Sequence, residues 1–191
     1  IGKHTLLKTG ISFNYDSRDN EVFTENGLFV NGRFLYSPKL LDNIDDFSGS
    51  QLDFRSFYTS KVLGNSTFGL RLKGEKLWGK FPFFSASFLG GVENLLGFRR
   101  ERFSGNSSLL GSIQYRIPIT KVRLIINGTL GIHGLAESGR VFTETENSKI
   151  WHSNFGGGIW ISYLDRTFNI VSTVAKSNES LLFYLGFSSI F

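Results

Sequence analysis

The residue types that could support catalysis or metal binding are scattered along this chain rather than grouped. Its histidines, at His4, His133 and His152, lack the spacing of a metal site. Asp16 and Asp19 could form a carboxylate pair for acid–base work, but turn chemistry explains them better because Asp side chains bond to nearby backbone. No Ser-His-Asp pattern resembles a nucleophile elbow. We therefore predict no enzymatic activity, no catalytic residue, no bound metal and no cofactor.

The composition excludes several further classes. With no Cys, the 191 residues can form neither a disulfide framework nor a thiolate metal site. The net charge is +5, but the cations alternate with apolar residues instead of clustering, which argues against a nucleic-acid partner. No apolar run reaches the roughly 18 residues of a membrane-spanning helix. The 20 Phe, 22 Gly and 3 Pro, with a mean hydropathy of −0.06, favour strands in which alternate residues are apolar.

Apolar and polar residues alternate with period two along most of the chain, which predicts strands. Leu181, Phe183 and Leu185 oppose Tyr184 and Gly186, for example. Nine candidate strands follow from this pattern: 7–16, 28–36, 52–62, 68–75, 112–119, 121–132, 155–163, 168–174 and 181–191.

Two architectures fit repeated alternation, a soluble sandwich or barrel and a membrane barrel. Three features favour the membrane barrel. Charges keep to one side of each strand, and tyrosines lie near strand ends on the apolar side, as an interfacial girdle would require. Connections also alternate in length, with the longest at 80–106 and a tight turn predicted near Thr120. An odd number of strands would leave an edge unpaired, so we expect further strands beyond this segment.

Five motifs, in order, resemble those of one protein family. They are Asp16-Ser17-Arg18-Asp19-Asn20 with Phe23 and Gly27, Gly90–Arg99 followed by Arg102–Gly105, Gln114–Pro118, Leu135–Val141, and Phe155–Ile159. Together they resemble the C-terminal half of the BamA/TamA superfamily, the bacterial surface antigen family of outer-membrane assembly and translocation barrels. The resemblance covers essentially the whole chain, 1–191, as one barrel domain. It implies an all-β, transmembrane antiparallel barrel of sixteen strands, of which this chain supplies the last nine.

The resemblance also implies roles for particular residues. A long loop at 80–106 would fold into the lumen and carry the motif Leu96, Gly97, Phe98, Arg99 and Arg102. Glu137 and Gly139 would form its partner on the barrel wall, and Asp16, Arg18, Asp19 and Gly27 a periplasmic turn. Leu96 stands where the family has an arginine. Because a guanidinium in a lumen needs a carboxylate partner, we expect Arg99, or failing that Arg102, to bind Glu137.

The family's function is non-enzymatic insertion or translocation of outer-membrane or surface proteins through a lateral seam. Tyr184, Gly186, Phe187 and Phe191 fit its C-terminal targeting signature. The expected partners are outer-membrane lipid and lipopolysaccharide, client proteins, and the remaining barrel strands and periplasmic domains. The expected location is the outer membrane of a Gram-negative bacterium. Two alternatives remain: a passive or dedicated secretion pore, and a membrane anchor for an upstream phosphoesterase or patatin-like lipase.

Overall fold

A computed structural model describes residues 5–42, 45–123, 127–143 and 149–187. Nine of its strands form one antiparallel sheet, in which they follow one another in chain order. These strands are Thr9–Asp16 (β1), Gly27–Ser37 (β2), Phe47–Ser60 (β3), Ser66–Gly79 (β4), Ser107–Arg123 (β7), Asn127–Phe142 (β8), His152–Tyr163 (β9), Phe168–Lys176 (β10) and Leu181–Gly186 (β11). Each pairs with the next of these nine strands, so the sheet is a meander that stays open between β1 and β11 within the described residues. The all-β fold expected from the alternation is confirmed.

The alternation gives the sheet two chemically distinct faces, because successive strand residues point to opposite sides. We call one the membrane face; it carries apolar side chains that the sheet leaves exposed, among them Ile11, Ile113, Phe155 and Phe183. The other, the inner face, carries buried polar residues such as Asp53, Arg116 and Glu137. None of the helical segments in the described ranges has the length and hydropathy of a membrane span.

The long connection between β4 and β7 contains its own small elements. A single 3₁₀ turn covers Phe83–Ser85, and two short strands, Ser87–Leu89 (β5) and Phe103–Gly105 (β6), pair as a separate two-stranded sheet. We call the sheet end that carries this connection the loop rim and the opposite end the turn rim.

One predicted turn is wrong in position. The alternation predicts a tight turn near Thr120, whereas β7 continues to Arg123 and pairs with β8 to the register Arg123–Asn127. The register shifts between Pro118 and Thr120. Pro118 has no N–H to donate to the ladder, so the strand forms a bulge there and resumes pairing beyond it.

Candidate functional site

The connection from 80 to 106 folds against the inner face and forms an apolar cluster there. Leu89, Leu95 and Phe98 of the connection pack with Leu110 of β7, and these side chains are essentially buried. The Phe98 ring meets that of Phe103 edge-on with centroids 5.1 Å apart. Ser87 Oγ lies 2.6 Å from Ser108 Oγ, a hydrogen bond between β5 and the sheet. The connection is therefore a packed element of the inner face.

The loop tip, residues 93–98, meets Glu137 of β8 through its backbone. The Leu96 N–H donates to Glu137 Oε2 at 2.8 Å. Asn154 Nδ2 donates to the same oxygen at 3.0 Å, and Ser112 Oγ donates to Oε1 at 3.3 Å. A buried carboxylate needs such donors to replace water. Glu137 therefore lies on the wall against the loop, but it accepts from an amide and not from a guanidinium.

The predicted donor to Glu137, Arg99 or Arg102, is therefore wrong. Arg99 lies past the loop tip with its side chain exposed, and Arg102 Nε donates to Glu179 Oε2 at 2.8 Å instead. Leu96 occupies the motif position of the family's arginine, and its side chain enters a small apolar cluster with Leu135 and Ala175. Because an aliphatic side chain fills this place, the wall carboxylate is left to bind the backbone.

The last hairpin, formed by β10 and β11, provides a second anchor for the loop tip. Tyr184 Oη donates to the Leu96 carbonyl at 2.7 Å. Ser177 and Ser180 both donate to the Gly97 carbonyl, at 2.6 and 2.8 Å. Tyr184 was predicted as part of a targeting signature, and the structure gives its side chain this loop contact. The loop tip and the terminal strand are thus directly joined.

A third anchor comes from the other side of the loop. Arg71 of β4 forms a two-pronged ion pair with Asp53 of β3, with Nη2 to Oδ2 at 2.7 Å, and its Nη1 donates to the Glu93 carbonyl at 2.9 Å. Arg55 binds the same carboxylate at 2.7 Å. Arg55 and Arg71 are directly opposed in the β3–β4 register, so Asp53 offsets their repulsion. This network was not recognised in the sequence, although all of its members have the parity of the inner face.

Two glycines let the loop come this close. A Cβ on Gly97 would meet Asn154 Cβ and would lie 3.0 Å from Ser177 Cβ. A Cβ on Gly139 would lie 3.0 Å from Leu89 Cδ1 and 3.1 Å from the Leu109 carbonyl oxygen. Both positions were selected from the resemblance, and in the structure both lie where the loop and the wall are in close contact.

The connection between β1 and β2 is ordered by its own polar side chains. Arg18 binds Asp16 through Nη2 at 2.6 Å and lies over the Phe29 ring. Asp19 Oδ1 accepts the N–H groups of Glu25 and Asn26 at 3.0 and 3.2 Å. Gly27 has a φ of 120°, a conformation that favours glycine, and a Cβ there would meet the backbone of Ser17 and Arg18. The turn chemistry expected of these residues is present.

Charge pairing also joins this connection to the β9–β10 turn. Arg166 Nη1 lies 2.7 Å from Asp19 Oδ2. Burial raises the pKa of Asp19, but the Arg166 hydrogen bond and the two backbone N–H groups outweigh it and hold that pKa below its ordinary value. The hydrogen bond from Arg18 to Asp16 raises the pKa of the Arg18 guanidinium. The two connections therefore form one charged cluster at the turn rim.

Phe23 is the part of this connection whose role the sequence did not reveal. Its side chain is buried on the inner face against Trp160 and Val171, with the Phe23 and Trp160 ring centroids 5.0 Å apart. The Arg116 guanidinium stands over the Phe23 ring at 4.2 Å and donates to the Thr24 carbonyl. The 80–106 connection and this one thus enter the inner face from opposite rims.

The remaining predicted residues lie on or near the last strand. Gly186 ends β11, and a Cβ there would meet open space. Phe187 is exposed on the membrane face, while Phe191 lies outside the described residues.

His133 Nε2 lies 3.1 Å from Thr173 Oγ1. Across the described ranges, no three His, Cys, Asp or Glu residues are grouped so as to hold a metal ion.

The profile of the Omp85 superfamily domain matches residues 2–163, most of the chain. The chain belongs to the Omp85 superfamily. This agrees with the resemblance to the BamA/TamA superfamily, and it places the open nine-stranded sheet within a family of outer-membrane β-barrels that assemble or translocate proteins. A search of curated proteins found no match.

Proposed function

We propose that this Omp85 chain forms the seam-bearing part of a barrel that inserts outer-membrane or surface proteins into, or translocates them across, the outer membrane of a Gram-negative bacterium. The edge of β11 carries this proposal. In the part of the chain that the structure describes, β11 covers Leu181–Gly186. It pairs with β10 on one side, and its other edge has no partner among the described residues.

A free strand edge presents N–H and C=O groups that must be satisfied within a membrane. An edge strand is hydrogen-bonded to its sheet on one side only, so its other side can accept a client strand. Client recognition would then be β-augmentation, in which main-chain hydrogen bonds supply the affinity. Client proteins, lipid and the rest of the barrel are the partners that this function requires.

The hydrogen bond between the loop tip and β11 supports a link between the inner face and this edge. Tyr184 is on β11 and bonds to Leu96, while Leu96 also bonds to Glu137 of β8. A displacement of β11 therefore removes one hydrogen bond from the loop tip. We infer that the loop holds β11 in place until a client strand pairs with its edge.

Depletion of the full-length protein followed by proteomics of the outer membrane tests the function. We expect a broad loss of barrel proteins. Loss of a single secreted protein would instead identify a dedicated exporter, and an unchanged membrane would overturn both. Complementation with Tyr184→Phe should restore growth only in part, whereas Tyr115→Phe, which alters a tyrosine on the membrane face of β7, should restore it fully.

Photo-crosslinking tests the site. A photoreactive residue at Phe183 on β11 should capture client chains during their assembly, while one at Ile113 on the interior strand β7 should capture few. Equal capture at both positions would contradict pairing at the β11 edge.

A further inference from the structure

The charges on the membrane face have one sign and lie near one rim. Among the described residues of the nine-stranded sheet, the charged side chains on this face are Lys76 of β4, Arg140 of β8 and Lys176 of β10. All three lie in the strand halves nearest the loop rim. The acidic residues of these strands have inner-face parity, as Asp53, Glu75 and Glu137 show. Among the described strand residues, every charged side chain on this part of the membrane face is therefore basic.

Lys76 borders an open groove on the same face. The groove has a volume of about 430 Å³, and most of its lining belongs to the membrane face of β3, β4, β7 and β8. Those lining residues are Ser50, Leu52, Gly74, Lys76, Ser107, Leu109 and Phe142. The floor of the groove is formed at Gly74, which has no side chain. Leu109 Cδ2 lies 3.3 Å from the position that a Cβ on Gly74 would occupy.

The strand register brings Lys76 and Phe142 to this groove, and each forms a basic–aromatic pair with a neighbour on its own strand. Lys76 lies opposite Ser107, and Ser107 lies opposite Phe142, so Lys76 and Phe142 are two strands apart. Neighbouring strands are about 4.8 Å apart, which separates those two backbones by about 10 Å. The Lys76 ammonium lies 5.3 Å from the Trp78 ring, and the Arg140 guanidinium lies 4.5 Å from the Phe142 ring. Aromatic residues of this kind mark the depth of the lipid headgroups.

Hydroxyl groups occupy the same depth. Ser50 and Ser107 line the groove, and Ser138 Oγ lies 2.9 Å from Ser153 Oγ between β8 and β9. Toward the middle of the sheet the groove is bordered by Leu52 and Leu109. The groove thus changes from cations and hydroxyls at the loop rim to aliphatic side chains below.

We propose that this groove binds one membrane lipid with a phosphorylated headgroup, of the chemical class of lipid A. Lys76 and Arg140 bind the phosphate, the Ser50 and Ser107 hydroxyls bind headgroup oxygens, and an acyl chain packs along Leu52 and Leu109. Charge complementarity selects the headgroup, because membrane-face cations near the rim meet anionic lipid phosphates. The aliphatic lower half selects a lipid over free phosphate, which would leave it uncovered.

Native mass spectrometry of the full-length protein in detergent, with lipid A added with and without its phosphates, tests this site. Each basic residue near a membrane surface contributes about fivefold to affinity for an anionic headgroup, so Lys76→Gln/Arg140→Gln should weaken binding of phosphorylated lipid A about 25-fold. The matched double variant Lys61→Gln/Lys121→Gln removes two exposed cations at the turn rim and should bind like the unaltered protein. Ser107→Leu, which fills the groove without changing charge, should also weaken binding.

Several outcomes would overturn the proposal. Equal affinity for dephosphorylated lipid A would exclude phosphate recognition, and equal loss in both double variants would show general charge attraction. Complete displacement of the lipid by millimolar inorganic phosphate would mean a free-anion site. Unchanged binding of phosphorylated lipid A by Lys76→Gln/Arg140→Gln would show that these two residues do not bind the phosphate. Because the assay measures lipid on purified protein, its result is independent of whether the barrel assembles clients.

Discussion

The wall and the last hairpin hold the loop tip by hydrogen bonds to its backbone atoms. The wall and the last hairpin bind the Glu93 carbonyl, the Leu96 N–H and carbonyl, and the Gly97 carbonyl. A backbone group is present whatever side chain the position carries. This explains how Leu96 can stand where the family has an arginine while the loop still docks. The side chains that matter are then those of the wall and the glycine that permits the approach.

Gly97→Ala should displace the loop tip. The added Cβ would meet the Asn154 side chain and lie 3.0 Å from Ser177 Cβ, and overpacking of this kind costs about 1–3 kcal/mol. Limited proteolysis of the protein in lipid nanodiscs should therefore cleave the 80–106 connection several-fold faster. Gly134→Ala is the control, since its nearest atom would be 4.0 Å away. Equal cleavage of both variants would show that Gly97 does not set the loop position.

Glu137→Ala should release the loop from β8. The substitution leaves the Leu96 N–H and the Asn154 amide without their buried acceptor, at a cost of about 1–3 kcal/mol for each unsatisfied group. Hydrogen exchange at the Leu96 amide should accelerate, and Glu101→Gln, which changes an exposed carboxylate of the same connection, should not alter it. The charge swap Glu137→Arg/Arg99→Glu should fail to restore protection, because Arg99 does not contact Glu137. Restoration by that swap would reinstate the guanidinium pair.

The sequence was informative about the wall and misleading about the donor for a physical reason. Glu137 and Gly139 lie on a regular strand, where parity and register determine which way a side chain points. Arg99 lies in an irregular connection, where backbone conformation decides direction and no periodicity reports it. The same limit concealed Phe23, because an aromatic residue in a turn gives no sign that the turn folds back onto the inner face.

The presence of each strand could be predicted from the sequence, but the residues at which the strands end could not. Alternation identified all nine sheet strands, because one face of each is apolar over most of its length. It placed a turn near Thr120, where the apolar spacing slips, but such a slip is also produced by a bulge, as at Pro118. Likewise, β8 extends to Phe142, ten residues past the end predicted for the strand 121–132.

The two turn-rim connections should respond to acid as a unit. The pKa of Asp19 in the folded protein lies below its ordinary value of 3.8, so its ion pair with Arg166 stabilises the fold above that pH and is lost as pH falls through the folded-state value. Acrylamide quenching of Trp160 fluorescence, with Trp78 and Trp151 replaced by Phe, should stay constant from pH 7 down to 3.8 and rise as the pH is lowered further, because Phe23 then leaves the indole.

Two variants separate this ion pair from general acid effects. Asp19→Asn should show raised quenching at pH 7 already and a smaller change on acidification. Glu21→Gln, an exposed carboxylate in the same connection, should behave as the unaltered protein. If Asp19→Asn matches the unaltered protein at pH 7, the ion pair does not hold the connection.

In the whole molecule, the two faces of the sheet have different surroundings. The apolar side chains of the membrane face are left exposed by the sheet, while polar and charged residues of the inner face are covered by two connections from opposite rims. A soluble sheet would bury the apolar face instead. Membership in a family of outer-membrane barrels and the sign of the charges agree with this assignment.

A charge placed on each face distinguishes the two environments. Ile113→Arg, midway along the membrane face of β7, should destabilise the full-length barrel in lipid vesicles by about 2–4 kcal/mol, because a midplane cation must leave water for hydrocarbon. Gln51→Arg, on the inner face of β3, should cost far less since its surroundings are polar. Urea titration of the folded fraction, read from the heat-modifiable gel mobility of barrels, measures both. A barrel that tolerates Ile113→Arg as well as Gln51→Arg would mean that this face does not contact acyl chains, and the lipid groove on it would have no membrane to face.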